Sequence, residues 1–307
     1  MTEVYEDQVR LLLRVLPLVA EEASFALKGG TAINLFERDL PRLSVDIDLT
    51  YLPFEERDVA LPNIEAALTR LKTRIEGMDG RIKVTPVPQK EGNNAKLHIQ
   101  HVRAQIKIEV NTTLRGHVFP PRLMICSDGV QEQFETFVEM PVVSKAELYG
   151  GKLCAAFDRQ HPRDLFDVYY LLNDEGLTRE IMLGLIVAVL SGKRPINEVL
   201  FPTFQNQREA FENQFVGMSF APFSYEDYEA TRLRMVAAIK AALTERDKAF
   251  LLSFKRGKPD WDLIELPALR DMASVQWKLS NIIHLRDTNP EKHRALLTAL
   301  SECLAAI

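Results

Sequence analysis

Residues 28–49 read Lys28-Gly29-Gly30-Thr31-Ala32-Ile33-Asn34-Leu35-Phe36-Glu37-Arg38-Asp39-Leu40-Pro41-Arg42-Leu43-Ser44-Val45-Asp46-Ile47-Asp48-Leu49. A glycine pair opens a short helix, and an alternating segment follows. In a strand, alternate residues share a face. Ser44, Asp46 and Asp48 are therefore expected to project together, with Val45, Ile47 and Leu49 turned to a core. Two carboxylates stacked on one strand repel each other, and a cation between them relieves the repulsion. Paired acids, a hydroxyl and a glycine turn suit Mg²⁺-dependent phosphate chemistry.

Working outward, residues 3–24 carry Val9, Leu12, Leu13, Leu16 and Val19 at helical spacing, with Pro17 expected to kink or divide the helix. A short strand at 24–28 leads into the glycine turn, and a short helix follows at 31–38. The Asp46 strand is expected to end near Tyr51, and an amphipathic helix to span 56–76. Segments 81–87, 95–102 and 104–111 alternate as strands, with a break at Gly92-Asn93-Asn94 and a tight turn near Arg103. A further strand is placed at 121–126. Within the last strand of the meander, Lys107 and Glu109 share one face. Glu109 is either a third metal-binding carboxylate or half of a solvated ion pair.

From Ser144 the pattern turns helical. Ser144-Lys145-Ala146-Glu147 has the spacing of a capping box. Helices are expected at 163–173, 178–191, 225–252, 267–285 and 290–305, with a looser region at 193–224. The fold class is therefore α+β: a mixed-sheet core with helices over residues 1–140, then a mainly helical domain over 141–307.

Composition narrows the function. The apolar fraction is 46% and the net charge −5, which fits a globular chain and disfavours indiscriminate binding to nucleic acid. No apolar run approaches the ~18–20 residues of a membrane span, so no membrane partner is expected. The polar, acidic N-terminus is unlike a signal peptide, and a cytoplasmic location is expected. Cys126, Cys154 and Cys303 form no C-x-x-C pair, and buried reduced thiols explain them. His98 and His101 face opposite ways on a strand and make a poor metal pair.

The second block of interest is Ser144–Leu172. Lys145 and Lys152 are seven residues apart and share a helical face. Gly150-Gly151 inside a helix costs about 1 kcal/mol per glycine relative to alanine, so a ligand or another backbone is expected to approach there. After His161-Pro162, Arg163 and Asp164 open a new helix, with Asp167 one turn on. A helix-start role accounts for Asp164 better than for Asp167, which lies deeper. Arg163 is a candidate partner for Asp167, and Tyr169 and Tyr170 read as core rather than as a base-stacking platform.

The glycine turn and Asp-x-Asp strand resemble the signature of the DNA polymerase β-like nucleotidyltransferases. More narrowly, Leu27–Ala32 with Arg42-x-Ser44-x-Asp46-Ile47-Asp48-Leu49 resembles the AbiEii/AbiGii toxin family, which includes the MenT toxins. The lysine-bearing helix followed by Arg163-Asp164-x-x-Asp167 is similar to that family's second block. The resemblance implies a toxin of a toxin–antitoxin or phage abortive-infection system. It implies a catalytic set of Asp46, Asp48, Lys152 and Asp167, with Lys152 as the phosphate-contacting lysine. Nucleotide contacts would come from Gly29, Gly30, Thr31, Ser44, Lys145 and Asp164, and metal ligation of Mg²⁺ or Mn²⁺ from Asp46, Asp48 and Glu109. The substrate would be an NTP, and the partner an antitoxin, usually of winged-helix type. Related toxins extend the tRNA 3′ end, which makes tRNA the leading acceptor. A protein acceptor, or a nucleotide-binding module without turnover, remains the alternative. Arg38, Arg42, Arg103, Arg115, Lys145, Arg159 and Arg163 are the basic residues available to an RNA.

Overall fold

The computed structural model of the chain describes residues 3–88 and 94–306. These form two compact units, one of Met1–Ser144 with Gly217–Pro222, the other of Lys145–Val216 with Phe223–Ile307.

In the first unit, helix α1 (Glu3–Ala20) leads to β1 (Phe25–Lys28), then α2 (Gly29–Ala32), which runs into a π-helical turn over Ile33–Glu37. Strand β2 (Asp46–Tyr51) and helix α3 (Arg57–Met78) follow. The meander is β3 (Ile82–Pro88), β4 (Asn94–His101) and β5 (Ala104–Asn111). Next come β6 (Arg122–Ile125), α4 (Asp128–Phe134) and β7 (Glu139–Val142). The seven strands form one sheet in the order β3-β4-β5-β2-β1-β7-β6. Strands β2 and β5 run parallel, as do β1 and β7, and the other pairs are antiparallel.

The five residues of α1 read at helical spacing are all buried, each at 2% exposure or less. The helix continues through Pro17, which is exposed. The ring neither divides nor ends the helix. Helices α1 and α3 pack on the sheet and on each other, against the side carrying Ile47, Leu49, Ile106 and Ile108. Strand β2 begins at Asp46, later than the alternating pattern suggests. Ser44 and Val45 precede it, and Val45 is only half-buried. Helix α4 and strand β7 are additions that the sequence reading lacks. The Gly92-Asn93-Asn94 break falls at 92–93, outside the described residues. Segment Gly217–Pro222 returns to this unit, where Leu43 donates to the Met218 carbonyl and Phe220 to the Pro41 carbonyl, at 2.8 and 2.9 Å.

The second unit is helical among the described residues. Helices α5 (Lys145–Arg159), α6 (Pro162–Asp174) and α7 (Arg179–Ser191) are followed by the short α8 (Ile196–Leu200) and α9 (Arg208–Gln214). Helices α10 (Tyr225–Ala242), α11 (Glu245–Lys255), α12 (Ala273–Thr288) and α13 (Pro290–Ala305) complete it. The expected single helix over 225–252 is two. Ser224 and Thr244 each form a capping box, with Asp227 and Asp247, so the chain restarts at Thr244. The expected helix over 267–285 is a 3₁₀ turn, Pro267–Asp271, and then α12. Tyr169 and Tyr170, both half-buried, pack in an aromatic cluster with Phe166 and Phe223.

Helices α5 and α7 cross at glycines. A Cβ on Gly150 would lie 2.2 Å from the Gly184 carbonyl carbon, and one on Gly184 would lie 2.0 Å from the Ala146 carbonyl oxygen. Backbone approach therefore explains Gly150. A Cβ on Gly151 would meet nothing within 4 Å. Gly150→Ala is expected to lower the unfolding free energy by about 1–3 kcal/mol or more, through overpacking against backbone that cannot yield. Gly151→Ala is expected to raise it by up to about 1 kcal/mol, the helix-propensity difference. Chemical denaturation of the two variants side by side checks this opposition of sign.

Candidate active site

In the mixed-sheet unit, the turn between β1 and α2 is pressed onto the acid-bearing strand. Gly29 has φ +75°, a left-handed conformation that side chains rarely adopt, and a Cβ there would lie 2.6 Å from Asp48 Oδ2. At Gly30 a Cβ would come within 2.8 Å of Ser44 Oγ and 2.9 Å of Arg42 Nη2. Both glycines thus permit contact between a turn and polar groups that any side chain would obstruct. The Thr31 hydroxyl, fully buried, lies 3.0 Å from Ser44 Oγ and donates to the Asp46 carbonyl. Ser44 is held to the turn by these contacts rather than by strand alternation. Arg42 is 2% exposed and donates to the Leu43 carbonyl at 2.8 Å.

The sheet register sets the charges. Lys28, Asp48, Glu109 and Lys96 form one cross-strand row over β1, β2, β5 and β4. Asp46, Lys107 and His98 form the adjacent row. Register partners face the same side of a sheet, so three carboxylates and three lysines share this face. Lys107 Nζ is 3.3 Å from Asp46 Oδ2 and 3.8 Å from Glu109 Oε2, and Lys96 Nζ is 2.9 Å from Glu109 Oε2. Burial pushes the Asp48 carboxyl above the usual range. Lys28 opposes the rise, Asp46 and Glu109 add to it, and Lys107 opposes it. The sequence shows Lys107 on the Glu109 face. Lys28 and Lys96 enter only through register, which sequence alternation does not supply.

Asp46 and Asp48 present hard carboxylate oxygens on a face where added positive charge relieves a half-buried acid. Among the described residues no three His, Cys, Asp or Glu side chains converge as a metal cluster. Mg²⁺ is commonly held by one or two carboxylates, with waters and substrate phosphates completing its octahedron, so the pair fits such an ion without a third. Glu109 stands beside Asp48 by register, with two lysines on its carboxylate.

In the helical unit, Lys152 Nζ lies 2.9 Å from Asp164 Oδ1 and 2.9 Å from Asp167 Oδ2. All three side chains are 7% exposed or less. Arg159 adds a second cation to Asp164 at 2.9 Å. His161 caps α6, and Pro162 opens it, placing Asp164 and Asp167 one turn apart toward α5. Asp164 is therefore a partner of Lys152, beyond the helix-start role, and Lys152 is the cation facing Asp167. Lys145 stands apart from this triad, paired with Glu175 at 2.6 Å. Of the basic residues offered to an RNA, Arg42 and Arg115 are buried, while Arg103, Lys145 and Arg159 each carry an acidic partner.

The family described as the nucleotidyl transferase AbiEii toxin of a type IV toxin–antitoxin system matches residues 10–281. MenT4, a nucleotidyltransferase toxin from Mycobacterium tuberculosis H37Rv, shares the fold. It aligns with a TM-score of 0.60 at 16% identity, over 92% of this chain and 95% of that one. No curated protein matches the chain. No helix of the described residues is long and apolar enough to cross a membrane.

Lys152→Met would leave two buried carboxylates without their shared cation. A loss of about 3–5 kcal/mol in unfolding free energy is expected, largely recovered when Asp164→Asn and Asp167→Asn are added. Denaturant titration of the single and triple variants reads this. Asp48→Asn is expected to act the other way at neutral pH. Because folding raises the Asp48 pKa, its ionised form costs stability above that pKa and nothing well below the ordinary value of 3.8. The stabilisation by Asp48→Asn should therefore be full at neutral pH and fade toward pH 3, as followed by thermal unfolding across that range.

Proposed function

This chain belongs to the AbiEii family of nucleotidyltransferase toxins from toxin–antitoxin systems, and on that premise we propose that it transfers a nucleoside monophosphate from an NTP to the 3′ end of tRNA, using Mg²⁺ or Mn²⁺. The observation carrying the proposal is the contact of the Gly29 turn with Asp48, with Gly30, Thr31 and Ser44 gathered at the same turn. A turn without side chains, lying against paired acids, brings backbone N–H groups close to those acids, where a polyphosphate would bind.

In this reading the acceptor hydroxyl oxygen attacks the α-phosphorus as its proton passes to solvent. The bond from that phosphorus to the bridging oxygen breaks, and pyrophosphate departs with the electron pair. Asp46 and Asp48 would hold the metal ion, which supplies charge neutralisation at the phosphates when bound. Gly29 and Gly30 offer backbone donors to the phosphates, and Ser44 offers its hydroxyl, already oriented by Thr31. The parts of Lys152 and Asp167 are read from the family resemblance. Support for them within the helical unit is that Asp164 and Asp167, each 2.9 Å from Lys152 Nζ, hold the lysine in one direction. A toxin of this kind acts with an antitoxin partner, and blocking tRNA aminoacylation would serve in defence against phage.

Incubation with Mg²⁺, total tRNA and each α-labelled NTP in turn tests the proposal. Label is expected on tRNA, with a preference among the four nucleotides. Asp46→Ala is expected to reduce it by roughly 10²–10³-fold, the effect of removing one charge-stabilising group from a preorganised site. Label on protein instead would move the acceptor from RNA to protein. Nucleotide binding with no transfer to either would sink the transferase reading.

A further inference from the structure

The sheet face that carries Asp46 and Asp48 is already supplied with cations. Three lysines from three different strands meet three carboxylates there, and the register of β1, β2, β5 and β4 fixes which faces which. Lys96 is tied to Glu109 at 2.9 Å. Lys28 stands across β1–β2 from Asp48. Lys107 is different: its ammonium lies between Asp46 Oδ2 at 3.3 Å and Glu109 Oε2 at 3.8 Å. It is about one-third exposed, as are the two acids it bridges. It therefore neutralises a proposed metal ligand from an open position on the same face.

From this geometry we propose that Lys107 is the resident counter-ion of Asp46, that the divalent metal displaces its ammonium, and that the released ammonium then binds the polyphosphate of the nucleotide. The proposal rests on the metal-dependent reading given above. Its physical basis is economy of charge. A carboxylate accepting an ammonium at 3.3 Å has fewer lone pairs and less negative potential to offer a cation. A metal ion on Asp46 in turn repels an ammonium that close. Four flexible methylenes let the lysine swing while its Cα stays fixed by the β2–β5 register. The polyphosphate arriving with the metal is the nearest new anion. Lys107 would then be a positioning residue in the free enzyme and a substrate contact in the loaded one. Lys96, bound to Glu109 rather than to Asp46, has no such exchange to make.

The test separates this exchange from a general effect of surface charge. Mn²⁺ binding is measured by electron paramagnetic resonance titration of the full chain without nucleotide. The variants are Lys107→Met, Lys107→Arg, Lys96→Met and Asp46→Ala. Lys107→Met is expected to bind Mn²⁺ about 2- to 5-fold more tightly than the parent, the size of a partly exposed ion pair. Its KM for the NTP is expected to rise about 10-fold or more, from loss of a charge-assisted phosphate contact, and Lys107→Arg is expected to restore much of that KM. Lys96→Met removes the same charge from the same face and is expected to change both values much less. Unchanged Mn²⁺ affinity in Lys107→Met would overturn displacement, and equal tightening in Lys96→Met would reduce it to net charge. An unaltered KM in Lys107→Met would overturn the phosphate contact. If Asp46→Ala binds Mn²⁺ as the parent does, the metal assignment itself fails, a result recognisable apart from any behaviour of Lys107.

Discussion

Two half-buried carboxylates on one face of a strand are an electrostatic load that the mixed-sheet unit is arranged to carry. Asp48 sits under the Gly29 turn with its carboxyl pushed up by burial. Nothing apolar compensates a charge in that position. The compensation is coulombic and comes through the sheet. Antiparallel β1 brings Lys28 opposite Asp48, and parallel β5 brings Lys107 opposite Asp46 and Glu109 opposite Asp48. Lys96 on β4 then balances Glu109. The mixed topology thus has an electrostatic role as well as an architectural one. A slip of one residue in any of these pairings would turn the lysines to the helix-covered face and leave the acids unopposed.

The helical unit solves a related problem by a different route. Lys152 is buried with Asp164 and Asp167, and Arg159 reaches Asp164 from outside. Desolvating three charged groups is expensive, and an apolar trio would be as stable or more so. What the ionic trio provides is direction. A lysine held by two carboxylates one helical turn apart has few rotamers left, whereas an exposed lysine has many. The sheet and the helical unit therefore treat lysine in opposite ways. Lys107 lies partly exposed between two carboxylates, while Lys152 is buried between two.

The elements that the sequence announces are those whose signal is local. The apolar period of α1, the alternation of β2 to β5 and the Asp-x-Asp pattern are each visible within a few residues, and they lead to an α+β fold with a helical C-terminal region. The restart at Thr244 is also local, written as Thr244-x-x-Asp247, but continuous helical periodicity on either side conceals it. Register is not local. That Lys28 and Lys96 flank the acid pair depends on which strands become neighbours, and the parallel β2–β5 pairing joins segments some sixty residues apart. The return of Gly217–Pro222 to the sheet unit has the same character, for nothing in that segment names Pro41 and Leu43 as its partners. Sequence spacing alone makes the acid pair a demand for a cation, and the structure answers that demand first with lysine.

The two glycines of α5 show how an expected cost can be divided by geometry. Both lower helix propensity alike, and from sequence both ask for a close approach. At Gly150 the approach is the backbone of α7, so the fold itself accounts for the residue. At Gly151 a side chain would meet open space, and no packing in the helical unit returns what the glycine costs. Asp48 stands in the same position within the sheet unit, a half-buried charge that a neutral side chain of the same shape would relieve. Residues that break a local rule without structural return concentrate where function rather than stability selects them. By that criterion the turn over Asp48, which lies within the residues that the AbiEii family match covers, is the sheet unit's candidate for chemistry.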